Sequence, residues 1–76
     1  MPLAFSPEVA RRIEELLARY PDAEAACMPL LHLAQDEFGY LSDEAIVLVA
    51  RTLALPEAHV YGVVTFYTMF RRSPAG

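Results

Sequence analysis

The sequence predicts an all-α fold, a small four-helix bundle, and three observations carry that prediction. Helix-start signals recur at Ser6-Pro7-Glu8, Ser42-Asp43-Glu44 and Pro56-Glu57. Between them apolar residues return at spacings of three and four, the period of a helix that is buried on one face. The one stretch of strand-like composition, residues 60–70, has no second strand with which to pair.

The first helix is expected over residues 7–20. Ser6 offers a side-chain cap, Pro7 loses nothing by lacking an N–H in the first turn, and Glu8 sits near the positive end of the dipole. Val9, Ile13, Leu16, Leu17 and Tyr20 form one apolar stripe, while Glu8 with Arg12 and Glu15 with Arg19 stand four apart on the wet side. Pro21-Asp22 closes it. A second helix is expected over residues 25–38, with Pro29 tolerable only in its first turn. Leu30, Leu31, Leu33, Ala34 and Phe38 supply its apolar face, and Gly39 stands where a left-handed residue ends a helix.

Ser42 caps a third helix over residues 43–54, with Ala45, Ile46, Val49, Ala50 and Leu53 facing inward. The fourth is read over residues 56–70. Its Val, Thr, Tyr and Phe favour strand by propensity, but its length and its proline start favour helix. Residues 1–70 are thus expected to make one helical domain. Residues 71–76, with turn composition, read as the start of a linker.

Composition narrows the function. A chain of 76 residues suits a single domain, and its 55% apolar content is enough for a packed core and excludes a disordered segment. The net charge of −4, with no lysine and scattered arginines, argues against nucleic acid as a partner. The stretch 59–70 is too short to cross a bilayer, where about 20 apolar residues are needed. No charged segment leads into an apolar one at the start, and the thiol usage suits a reducing compartment, so the cytosol is the default location.

Candidate chemistry is sparse. Cys27, the sole cysteine, can form neither an internal disulfide nor an all-cysteine metal site, and it reads as small core filler beside Met28 and the alanines. His32 and Asp36 stand four apart, yet no nucleophile or substrate pocket is indicated near them, and His59 reads as a surface residue. A helix–turn–helix, suggested by Ala45, Val49-Ala50, Leu53, Leu55-Pro56 and Val60, fails on chemistry, since the would-be reading helix presents Tyr61, Val64, Phe66, Tyr67 and Met69 in place of groups that address phosphates or base edges. No catalytic, cofactor-binding or metal residue is assigned. The fourth helix is the informative feature, because Val60, Val63, Val64, Phe66, Tyr67, Met69 and Phe70 spread around its axis. With only three short neighbours, part of that surface is expected to face a partner.

The residues Met28-Pro29-Leu30-Leu31, Gln35, Phe38-Gly39-Tyr40-Leu41-Ser42, Ala45, Val49-Ala50, Leu53, Val60-Tyr61-Gly62-Val63 and Thr65-Phe66-Tyr67-Thr68-Met69-Phe70, continued by Pro74 and Gly76, carry a resemblance. The pattern resembles the helical N-terminal region of the small iron–sulfur subunit of NADH:quinone oxidoreductase (respiratory complex I). It is similar also to the matching subunit of NAD-dependent formate dehydrogenases and NAD-reducing hydrogenases. That family places a helical bundle ahead of a thioredoxin-like domain whose four cysteines hold a [2Fe–2S] cluster. Cys27 matches none of those ligands, so the resemblance implies a piece of an electron-transfer subunit without its cluster domain. It also implies a flavoprotein partner carrying FMN and binding NADH, in an assembly peripheral to a membrane complex. Tyr61, Phe66, Tyr67, Met69 and Phe70 are then the expected anchors, rimmed by Arg71 and Arg72. The alternative is a free-standing module that self-associates as a homodimer through the same helix.

Overall fold

In the computed structural model, which describes residues 3–67 and 70–72, four α-helices follow one another: α1 (Pro7–Arg19), α2 (Ala23–Phe38), α3 (Asp43–Leu53) and α4 (Glu57–Phe66). Three begin on side-chain caps. Ser6 Oγ accepts the Val9 N–H at 3.3 Å, Asp22 Oδ1 the Glu24 N–H at 3.2 Å, and Ser42 Oγ the Ala45 N–H at 3.1 Å. Each satisfies one of the donors a helix start leaves unpaired. α4 begins at Pro56 with no side-chain cap. Gly39, at φ +86°, ends α2 and donates its N–H to the Gln35 carbonyl at 2.7 Å, while Ala54 ends α3 at φ +57°.

The four-helix, all-α architecture is as the sequence predicts, and two boundaries differ from expectation by more than one residue. α2 starts at Ala23, capped by Asp22, so Pro29 lies inside the helix, beyond its first turn. An interior proline costs about 3 kcal/mol. Burial of Ala26, Cys27, Leu30 and Leu31 on either side of it offsets that cost and carries the helix through.

α4 stops at Phe66, short of the expected residue 70, and Tyr67 takes extended backbone at φ −100° and ψ 106°. The run Val63-Val64-Thr65-Phe66-Tyr67 loses side-chain freedom in a helix, and the chain gains more by folding Phe70 back into the core. Thr68 and Met69 lie outside the described residues.

Consecutive helices pack on one another, α1 on α2, α2 on α3 and α3 on α4. The core is built from the middle pair and its flanks: Leu30, Leu31, Leu41, Ile46, Val49 and Val60 are fully buried. α1 contributes one buried side chain, Ile13. Its start is fixed to the end of α2 by a Phe5–Phe38 ring stack at 5.5 Å, and Ser6 Oγ donates to Glu37 Oε2 at 2.7 Å. The radius of gyration, 11.5 Å, matches the value of about 11 Å expected for a close-packed chain of this length.

Candidate functional site

α4 turns Val60 and Val64 into the core and leaves its other sides incompletely covered. Tyr61 and Val63 are half-buried, whereas Gly62, Thr65 and Phe66 face outward. Phe66 is 79% exposed and Tyr67 40%, and their rings meet edge to face at 5.3 Å. With Ala58, His59, Gly62 and Val63 they line an open depression of about 360 Å³. Gly62 contributes by omission: a side chain there would meet no atom within 4 Å, so bare helix backbone is open to an approaching surface.

The residues after α4 behave differently. Phe70 is buried, its ring 4.9 Å from that of His32. Arg71 is held on three sides: its N–H donates to Gln35 Oε1 at 2.6 Å, its carbonyl accepts the Leu41 N–H at 2.6 Å, and its Nε donates to the Gly39 carbonyl at 3.3 Å. Arg72 donates from Nη2 to Asp43 Oδ1 at 2.6 Å and from Nη1 to the Leu41 carbonyl, with its guanidinium 5.6 Å from the centre of the Tyr61 ring. These neighbours set the local titration. Hydrogen bonds from Arg72 and then from Tyr61 hold the Asp43 carboxyl below its ordinary range, and desolvation and then the Asp43 carboxylate push the Tyr61 phenol up.

The residues expected as partner contacts therefore divide. Phe66 and Tyr67 stand at the surface, and Tyr61 is half-buried against Arg72. Phe70 is in the core, Met69 lies outside the described residues, and Arg71 and Arg72 are engaged by groups of this same chain. Sequence reasoning gives no such role to Gln35 or Asp43. Gln35 sits four residues after Leu31 on the apolar stripe of α2, a polar residue where a core residue is due, and that is the available signal. Asp43 reads from sequence only as a helix-start acid.

Residues 13–76 match the profile of the thioredoxin-like [2Fe–2S] ferredoxin family. The chain belongs to that family. Among the members similar to it, the NADH-quinone oxidoreductase E subunit of Mycobacterium tuberculosis is 43% identical over 79 aligned positions, covering 99% of this chain and 31% of that protein. The NADH-quinone oxidoreductase E subunit of Rhizobium meliloti that is designated 2 is 44% identical over 64 positions, covering 84% and 38%. The HndA subunit of the NADP-reducing hydrogenase of Solidesulfovibrio fructosivorans is 42% identical over 76 positions, covering 100% and 42%. The chain thus spans between 31% and 42% of the length of these relatives, and the family resemblance drawn from the sequence is borne out.

A [2Fe–2S] cluster is held by four thiolates, or by two thiolates with two imidazoles. The residues present here do not fit one. Cys27 is the single cysteine, buried among Ala26, Leu30 and Leu31, where burial and then the charge of Glu24 raise its thiol above the ordinary value. Among the described residues no three of His, Cys, Asp and Glu come together in a metal-binding group. Nor is any described helix long and apolar enough to cross a membrane.

Proposed function

We propose that this helical domain docks an NADH:quinone oxidoreductase-type iron–sulfur subunit onto its flavoprotein partner. The chemistry lies elsewhere, with FMN and NADH on the partner and a [2Fe–2S] cluster in the thioredoxin-like part of the intact protein. The helical domain is a spacer and an anchor, peripheral to a membrane complex on the cytoplasmic side. The observation that carries this reading is the exposed Phe66–Tyr67 pair beside the open flank of α4. Large aromatic side chains left in water by an otherwise well-packed small domain have the composition of interface hot spots.

The test is capture of the purified flavoprotein by this chain and by its Phe66→Ala,Tyr67→Ala variant. Both residues are exposed, so the variant is expected to keep its fold, and loss of a hot-spot pair is expected to weaken capture roughly thirtyfold or more. Equal capture by wild type and variant removes α4 from the interface. Sedimentation of the isolated chain across a concentration series addresses self-association through the same patch, and a dimer lost in the double variant favours that alternative.

A further inference from the structure

Residues 70–72 are held to the body of the domain at several points that lie far apart in sequence. The first tie is polar and sheltered. Gln35 is the one buried polar side chain among the described residues, and its oxygen is used to accept the Arg71 N–H. A buried amide without a partner is costly, so its presence on the apolar stripe of α2 needs a reason, and this hydrogen bond supplies one. The second tie is apolar, since Phe70 is 6% exposed and lies against His32 on the same helix. The third is ionic. Arg72 bonds Asp43, at the start of α3, and the Leu41 carbonyl, and its guanidinium lies near the Tyr61 ring of α4. Leu41 is gripped from both arginines, giving its N–H to Arg71 and its carbonyl to Arg72.

We infer that residues 70–72 form a strap locked onto the corner between α2 and α3, with Gln35 as its positioning residue, so that Arg71 and Arg72 are held in a fixed place on the helical domain. A segment of turn composition would otherwise behave as a free hinge, its ends joined only by chain entropy. Locked at Gln35, Leu41 and Asp43, it turns with the bundle as one body. The inference goes beyond the proposed docking role and is independent of it, since every contact it uses lies within this chain.

Amide hydrogen exchange on the 76-residue chain, read by NMR residue by residue, tests the strap. Gln35→Met keeps the side-chain bulk and removes the acceptor. The Arg71 and Leu41 amides are expected to exchange roughly tenfold faster, with the amides of the α3 interior unchanged. Gln35→Glu, which keeps an oxygen in place, is expected to retain most of the protection. Asp43→Asn removes the charge opposite Arg72 at an exposed position and is expected to speed the same two amides about threefold. Wild-type exchange in both Gln35→Met and Asp43→Asn overturns the inference. So does equal acceleration throughout α3, which marks a general loss of stability. If Gln35→Met does not fold, Asp43→Asn decides alone.

Discussion

Two helices of this domain end on a left-handed residue, one a glycine and one not, and the pair makes a signed prediction. Gly39 closes α2 at φ +86°, ψ −25°, and Ala54 closes α3 at φ +57°, ψ +38°. A Cβ built on Gly39 meets nothing within 4 Å, so Gly39→Ala sets only the cost of the backbone conformation against the ~0.5–1 kcal/mol regained through alanine's lesser freedom in the unfolded chain. For an L residue that cost is about 1–2 kcal/mol, and Gly39 stands well away from the left-handed minimum near φ +57°, ψ +47°, so the upper half of the range applies. Ala54 already sits close to that minimum. Ala54→Gly relieves about 1–2 kcal/mol of conformational strain but gives back about 0.5–1 kcal/mol through the greater freedom of glycine in the unfolded chain. A net gain of about 0–1.5 kcal/mol is expected. For a domain of this size 1 kcal/mol moves the thermal midpoint by roughly 4–8 °C. Thermal unfolding followed by far-ultraviolet circular dichroism therefore separates the variants in opposite directions. A Gly39→Ala chain with an unchanged midpoint, or an Ala54→Gly chain that melts lower, refutes the account of both helix ends.

Further outcomes follow from burial and charge. Leu31→Ala removes a fully buried side chain of α2, the helix that packs on both α1 and α3. It is expected to cost about 2–5 kcal/mol, read as a lowered midpoint in urea titration. Cys27 has its thiol raised by burial and Glu24, so its contribution is fully present below the unfolded-state value of 9.0 and is lost as pH rises from there through the higher folded value. Native Cys27 is expected to resist iodoacetamide at pH 8 while the urea-unfolded thiol reacts, which mass spectrometry reads directly. Asp43 has the opposite sign. Its carboxyl is lowered in the fold, so its contribution is present above the unfolded carboxylate value near 4 and fades as pH falls through the lower folded value. Asp43→Asn is expected to flatten that acid limb of the stability curve, and added salt to shrink the difference between the two chains.

Much of the architecture was legible because local signals agreed with one another. Ser6 and Ser42 announce α1 and α3 with a cap and acids in the first turn, and both helices start where those signals place them. The apolar stripes gave the core residues of α3 without error in kind: Ala45, Ile46, Val49, Ala50 and Leu53 are all buried. What escaped was decided by tertiary contacts. Proline reads locally as a helix boundary, yet α2 runs through Pro29 because both flanking turns are anchored in the core. The end of α4 is set by a destination far back in the sequence, where Leu41 and Gln35 receive Arg71, and no periodicity in residues 60–70 reports that. The candidate surface was half legible for the same reason. Composition marked Phe66, Tyr67 and Phe70 alike, and only the fold separates the two exposed rings from the buried one.

The order in which the helices pack bears on how quickly they find one another. Each stacks on its neighbour along the chain, so most pairings close short loops, and proteins wired in this way fold in microseconds to milliseconds. The contacts of Phe5 and Ser6 with the end of α2, and of Phe70, Arg71 and Arg72 with α2 and the start of α3, are the long exceptions. Closure of the segment around Phe70 is then expected late, after the helical hairpins exist, and on a ribosome the first three helices can assemble before the residues that fasten the fourth have emerged.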